Sequence, residues 1–293
     1  MIMHPQLSSF LLNGTFVQGP DGIYSAPKPS FNSGQDTERK LREQVAVELY
    51  DNYLASIARH HSIPVMDYEI DRFLAKIPQG GLILDIGGCW GWHWRRLAEN
   101  RPDLEVLIID FVRANLVHAQ RVLGPLVGTQ VALMYADATN MSLPTSTFDG
   151  VWTVQAFQHI PNFARACSEA HRVLKPGGFF VNYSLHTTPF NRMVYWLLGK
   201  TFHKEGMRKN KFHLNRANDR QRQIVVDIFT GEVIDRYTEC LHHPDLRLTF
   251  GGRVGSPIGQ LDKLLGELPR LGRWIARQHS FEARKSTMIS VIK

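Results

Sequence analysis

The sequence predicts an α/β fold built on a doubly wound, mostly parallel sheet with helices on both faces. Three observations predict it. Short apolar runs alternate with helix-length segments between residues 80 and 186, the pattern of parallel strands joined by right-handed crossovers. A glycine cluster, Gly87-Gly88-Cys89-Trp90-Gly91, directly follows the first of those runs. An acid, Asp110, closes the next run, about 20 residues beyond the cluster.

Taken in order, Thr15–Gln18 and Ile23–Ala26 flank Gly19-Pro20-Asp21-Gly22, which predicts a hairpin. Between Asp36 and His60, Leu41, Val45, Leu49, Tyr53 and Ile57 recur every four residues and predict a helix with one apolar stripe. A second helix is expected over Asp67–Lys76, ahead of Pro78. Strands are expected at Leu82–Ile86, Val106–Asp110, Val131–Tyr135, Asp149–Val154 and Phe179–Leu185. Helices are expected at Trp92–Glu99, Arg113–Leu123 and Asn162–Leu174, the last stopped by Lys175-Pro176-Gly177-Gly178. Past His186 the pattern loosens. A helix over Ile258–Gln278, interrupted near Pro269, and a last strand at Thr287–Ile292 complete the reading, with no evident sixth strand. The chain divides into an N-terminal helical extension (1–62), the core (63–186), a basic insertion after strand five (187–257) and a C-terminal helix with closing strand (258–293).

The 293 residues are 43% hydrophobic and 21% charged, as in an ordinary globular protein with one sizeable core. The cysteines Cys89, Cys167 and Cys240 are far apart and form no CxxC pair, which argues against a disulfide framework or a zinc ribbon. The opening nine residues lack a secretory signal pattern, and no run of about 18 apolar residues exists, so a cytoplasmic location is expected. A formal net charge of +7 favours anionic partners without naming one.

A glycine-rich turn between strand and helix lets backbone approach a ligand closely. An acid at the end of the next strand suits paired ribose hydroxyls. These two features fit any nucleotide-type ligand. Three further motifs narrow the choice: Ala136-Asp137-Ala138, Leu143-Pro144-Thr145-Ser146-Thr147-Phe148-Asp149, and Arg172-Val173-Leu174-Lys175-Pro176-Gly177-Gly178. Together with Asp85–Gly91 and Asp110 they stand in order and in register over residues 80–186. In this the chain resembles the class I S-adenosylmethionine-dependent methyltransferases, in particular the family of the ubiquinone and menaquinone biosynthetic enzymes. It departs from them at Cys89, where the middle glycine of the turn is usual, and at Trp90.

The resemblance implies a Rossmann-like core that binds S-adenosylmethionine and transfers its methyl group. It implies that Asp85, Gly87, Gly88 and Gly91 surround the methionine end of the cofactor. Asp110 would accept from the ribose, Phe111 pack on the adenine, Asp137 accept from the adenine amino group, Ala138 contact the ring, and Gln155 face the sulfonium. Cys89 is read as lining the pocket by size alone.

The position of His159 after strand four offers a general base toward an acceptor hydroxyl or amine; the alternative is a histidine that shapes the loop. Tyr183 and His186, at the end of strand five, are weaker acceptor-side candidates. Residues 187–225 carry nine Lys or Arg against Glu205 and Asp219. Placed over the site, this segment would read an anionic acceptor through Arg216 and Arg220, with Arg222 beside them; a solvated basic face is the alternative. Asn191–Phe202 mixes aromatic and apolar residues with basic flanks, which suits a lid over the site or peripheral contact with lipid. His242-His243 lacks a third ligand at metal-site spacing, and no metal is expected. The acceptor stays open between a small molecule or glycan-like compound and RNA, and a catalytically inactive cofactor-binding module remains an alternative. No Asn-Pro-Pro-aromatic run or Pro-Cys nucleophile follows strand four, which weighs against nucleic acid.

Overall fold

The computed structural model describes residues 5–13, 15–26, 36, 39, 40, 42, 43, 53–202, 205–207, 213–250, 253 and 255–287. The core is a nine-stranded sheet with the order β1-β2-β5-β4-β3-β6-β7-β11-β10. Its strands are β1 (Val17–Gln18), β2 (Tyr24–Ser25), β3 (Leu82–Ile86), β4 (Glu105–Asp110), β5 (Val131–Tyr135), β6 (Phe148–Val154), β7 (Leu174–Leu185), β10 (Val233–Thr238) and β11 (Gln278–Arg284). β2 to β7 run parallel, and β11 runs antiparallel to both β7 and β10. A separate hairpin pairs β8 (Glu205–Met207) with β9 (His213–Asn215).

Every residue of β3 is buried, because helices cover both faces of the sheet. Leu82, Leu84 and Ile86 join one apolar layer, with Phe157, Phe180 and Phe281. Ile83 turns to the other, with Ile108, Trp152 and Val181. The first layer packs under α1 (Pro5–Leu11), α6 (Phe163–Val173) and α8 (Asp219–Phe229). The second packs under α2 (Tyr53–His60), α3 (Ile63–Leu74) and α5 (Arg113–Leu123). The expected hairpin is present. β2 goes further and pairs parallel with β5, so the N-terminal arm is part of the sheet.

Several boundaries differ from the sequence reading, each for a packing reason. α3 begins at Ile63 rather than near Asp67, with Ser62 in extended conformation ahead of Pro64, a residue suited to a first helical turn. The segment expected as a helix over Trp92–Glu99 is a 3-10 turn, Trp92–Trp94, followed by α4 (Leu97–Asn100). Trp92, His93 and Trp94 are all buried, which three consecutive positions of a half-exposed α-helix cannot be. The C-terminal helix is two, α9 (Pro257–Leu265) and α10 (Pro269–Ile275).

The missing sixth strand is β10, on the sheet edge, and the closing strand is β11 rather than Thr287–Ile292. Residues 288–292 lie outside the described residues, as do Leu41, Val45 and Leu49 of the expected apolar stripe. β11 is hard to read from sequence because four of its six buried residues, Gln278, His279, Ser280 and Glu282, are polar, beside the apolar Phe281 and Ala283. Glu282 binds Arg72 and Lys76, and His279 binds Asp235. The expected insertion 187–257 therefore contains α8 and β10, both integral to the core.

Candidate functional site

A cleft of about 480 Å³ opens at the carboxyl ends of β3, β4, β5 and β6, where ligands bind in sheets of this kind. Among its lining residues are Asp85, Gly87, Gly88, Asp110, Phe111, Asp137, Ala138, Gln155 and His159. The structure thus brings together nine of the ten positions proposed for cofactor and catalysis. Gly91 stands behind the wall. It has φ 67°, and a Cβ there would lie 2.8 Å from Leu123 Cδ1, so it lets the turn pack on α5.

The turn is held tightly. Gly87 has φ 72°, and a Cβ on it would stand 2.4 Å from the Ala156 Cβ in the loop after β6. A Cβ on Gly88 would meet Asp85 Oδ2 at 2.3 Å. Any side chain at these two positions would displace the loop or the carboxylate beneath it. Asp85 Oδ2 accepts from Trp94 Nε1 at 2.7 Å. Asp110 accepts from Val112 N at 2.8 Å and from Cys89 N at 3.1 Å. Burial pushes Asp85 up to about 7 and Asp110 up to about 6, as expected for carboxylates withdrawn from water. Both are poised to gain from a ligand that brings hydrogen-bond donors or positive charge. Asp137 Oδ1 accepts from Thr139 N at 2.8 Å, a turn that fixes the carboxylate on the cleft wall. Gln155 sits at φ 52°, and its buried Nε2 has no hydrogen-bond partner among the described residues. A strained backbone carrying an unsatisfied amide into a cleft is a feature of ligand sites.

Cys89 lines the same cleft with φ 51°. Burial, then the neighbouring Asp110 charge, pushes its thiol far up. It is a protonated space-filler rather than a reactive thiolate.

His159 is at the cleft, but its ring is engaged. Nδ1 donates to the His213 carbonyl oxygen at 2.7 Å, and the Gln158 side-chain amide lies 3.1 Å from Nε2. Gln158 is itself fixed by Leu185 N, which donates to its Oε1 at 2.7 Å. This is the loop-shaping arrangement, tying the end of β6 to β9.

The acceptor-side expectations need correction. Tyr183, His186, Arg216 and Arg220 do not line the cleft. The Tyr183 hydroxyl donates to buried Glu69 Oε2 at 2.7 Å. His186 is buried between Tyr237 and His279, and burial, then His279, lowers it to about 3. Arg216 is buried, donating to the His186 carbonyl oxygen at 3.3 Å. Arg220 is exposed on α8, and Arg222 binds Asp235 at 2.7 Å. Of the described basic residues after strand five, Arg216 is buried and Arg222 is paired with Asp235, because α8 packs on the sheet and β10 belongs to it, while Arg192, Lys200 and Arg220 are exposed. His242 and His243 are both buried, with His243 Nε2 donating to the Cys240 carbonyl oxygen at 2.9 Å. Among the described residues no group of three or more His, Cys, Asp or Glu is arranged to hold a metal.

The cleft is instead covered by the end of α2 and the residue after it. Ser56, Ile57, His60 and His61 line it, together with Trp92 and His93. The sequence marked Ile57 only as part of an apolar stripe, and nothing in it places residues 56–61 over the site. His61 Nδ1 stands 3.5 Å from Glu239 Oε1, and its ring centroid is 5.8 Å from that of Trp92. Glu239 is fully buried. Burial alone would raise its carboxyl, but the Arg277 guanidinium and then His61 hold it well below the carboxylate range. His93 stacks on Trp92 at 4.1 Å between centroids, and neither of its buried ring nitrogens has a partner among the described residues. Burial holds its ring neutral.

Residues 84–182 match the family model described as a methyltransferase domain. The chain is 28% identical over 195 residues to the sterol 24-C-methyltransferase of Eremothecium gossypii, covering 64% of this chain and 42% of that protein. It is 34% identical over 112 residues to the demethylmenaquinone methyltransferase of Symbiobacterium thermophilum, covering 36% of this chain and 43% of that one. The chain therefore spans less than half the length of these two relatives. Among solved structures, a chain from the complex between the Haloferax volcanii Trm112 methyltransferase activator and a methyltransferase superposes with a TM-score of 0.57 at 15% identity, over 83% of this chain and 97% of that one. Phosphoethanolamine N-methyltransferase 2 of Haemonchus contortus, in complex with S-adenosylmethionine, gives 0.50 at 21%, over 75% and 52%. These likenesses show the same fold.

Proposed function

We propose that the protein transfers a methyl group from S-adenosylmethionine to a small, largely uncharged molecule held beneath α2. The observation that carries this reading is the composition of the cleft at the strand ends. Its wall includes the Gly-rich turn and three strand-end acids suited to the cofactor, and also an apolar, aromatic surface from Ile57, Trp92 and His93 suited to an acceptor. Arg42 is the one Lys or Arg among its lining residues. A polyanionic nucleic acid or phosphorylated glycan would need more. The names of the matched relatives, a sterol and a demethylmenaquinone methyltransferase, support an acceptor of small-molecule size.

Bound there, the cofactor supplies an electrophilic methyl carbon on a sulfonium. The chain supplies alignment and exclusion of water. Asp110 and Asp137 receive ribose and adenine donors, the Gly87–Gly88 backbone admits the methionine end, and Gln155 fixes the reacting region. His93, stacked on Trp92, shapes the wall beneath α2. His61, on the cleft wall 3.5 Å from Glu239, is the side chain we assign to take the acceptor's hydroxyl or amine proton. His159 holds the loop.

Two measurements test the reading together. Calorimetry should show binding of S-adenosylmethionine or its demethylated product. Incubation of labelled cofactor with fractionated lysate should place label in the small-molecule or lipid fraction. Label confined to nuclease-sensitive material would overturn the acceptor class, and heat with NAD but none with S-adenosylmethionine would overturn the activity.

A further inference from the structure

Three helices at one end of the sheet are built inside out. In α7 (Pro189–Leu197) the buried residue is Asn191, while Met193, Trp196 and Leu197 face water. In α9 the buried residues are Gly259 and Asp262, the latter accepting from Cys240 N and Leu241 N, while Ile258, Leu261 and Leu264 are exposed. In α10 the buried residue is Gly272, pressed against Tyr237, while Leu271 and Trp274 are exposed. Trp196 is 77% exposed and Trp274 61%. A helix packing on a water-soluble core shows the reverse pattern. A contiguous apolar surface of this kind marks an interaction site.

α7 and α10 pack against each other, and α9 leads directly into α10. α7 leaves the carboxyl end of β7, and α10 enters β11 where Gln278 pairs with Leu185. The surface therefore lies at the end of the sheet where the cleft opens. Its rim is basic. Arg192, Lys200, Arg270 and Arg273 are exposed on these segments. The acids of residues 189–200 and 257–275 are Asp262, which is buried, and Glu267, which is bound to Arg236.

We infer that this surface docks on an anionic lipid bilayer. Exposed tryptophans and leucines at helical spacing enter the boundary between headgroups and acyl chains, and the basic rim meets anionic headgroups. A second copy of the chain fits less well, since pairing the faces would bring like charges together, and the one exposed acid of these segments, Glu267, is already paired with Arg236. The expected lid role of Asn191–Phe202 gives way to this one, because none of those residues lines the cleft. The inference is independent of which molecule is methylated.

The test is co-sedimentation of the full chain with phosphatidylcholine vesicles, with and without phosphatidylglycerol, at low and high salt. The wild type should partition onto the anionic vesicles, with a blue-shifted tryptophan emission, and be released by salt. Trp196→Ser combined with Trp274→Ser should weaken partition by about tenfold or more at an unchanged melting temperature, since both side chains are exposed. Arg270→Glu with Arg273→Glu should abolish the preference for anionic vesicles. Failure of the wild type to bind, equal binding by the tryptophan variant, or a solution dimer that disperses in that variant without any vesicle binding would each overturn the inference.

Discussion

The backbone N–H of Cys89 donates to Asp110 Oδ2 at 3.1 Å, so the side chain proposed to receive the ribose also anchors the Gly-rich turn. Asp110→Ala removes both functions and should weaken cofactor binding by about 1–3 kcal/mol, as read by calorimetry. The affinity should also depend on pH. With Asp110 raised to about 6 and Asp85 to about 7, ligand donors favour the charged carboxylates, and protonation opposes them. Binding should therefore weaken as pH falls through that range and release protons at neutral pH. An affinity flat with pH would refute this link.

Cys89 occupies left-handed backbone, φ 51°, where a non-glycine residue is strained by about 1–2 kcal/mol. Cys89→Gly relieves that strain and offsets it with a more flexible unfolded chain. Stability should change by less than about 1 kcal/mol and cofactor affinity by no more than a few-fold. Because the thiol is held protonated, alkylating reagents at mildly alkaline pH should label it slowly. Loss of turnover in Cys89→Ser with binding intact would show a chemical thiol.

His61→Ala should lower kcat by about a hundredfold or more with cofactor affinity unchanged. His159→Ala, in contrast, should lower stability and loosen both substrates together. Equal kinetic defects in the two variants would remove the distinction between them.

Glu239→Gln leaves Arg277 buried without its counter-charge and should destabilise the fold by about 3–5 kcal/mol. The sign of its pH dependence is fixed. A carboxyl whose folded value lies below its unfolded value contributes stability that is complete above about 4.5 and is lost as pH falls. The melting temperature of the wild type should drop on acidification, and that of the variant should drop less.

Neutralising Arg216, Arg220 and Arg222 together should leave the acceptor's Michaelis constant unchanged. The cost should appear as stability, because Arg216 is buried against the His186 carbonyl and Arg222 is paired with Asp235. A raised Michaelis constant at unchanged stability would restore the substrate role that the sequence suggested for this segment.

That the Gly-rich turn and the strand-end acids share one cleft was legible because their signals are local. Asp85, Gly87, Gly88, Asp110 and Asp137 sit at strand ends where spacing alone locates them. The wall beneath α2 was not, because Ser56, His60 and His61 reach the cleft only through the packing of α2, which no spacing encodes. β11 escaped for a different reason. Its sequence, Gln278 to Arg284, is mostly polar; Phe281 and Ala283 join the apolar layer, while the ion pairs of Glu282 and the bond of His279 to Asp235 accommodate the buried polar positions. The basic stretch misled because composition records how many charges a segment has and not which way they point.

The short pairing of Tyr24 and Ser25 with Met134 and Tyr135 carries a consequence for handling the protein. Without it, β5 would end the sheet with a row of open amides and carbonyls, a template for pairing with another chain. The arm is clamped there by Arg113, which binds Asp21, and by Gln120, which donates to the Asp21 carbonyl oxygen. A truncation that removes residues 1–26 should therefore show itself first as concentration-dependent aggregation, before any loss of the cofactor cleft, which lies on other strands. Charge reversal at Asp21 should bring on the same behaviour with the full chain intact.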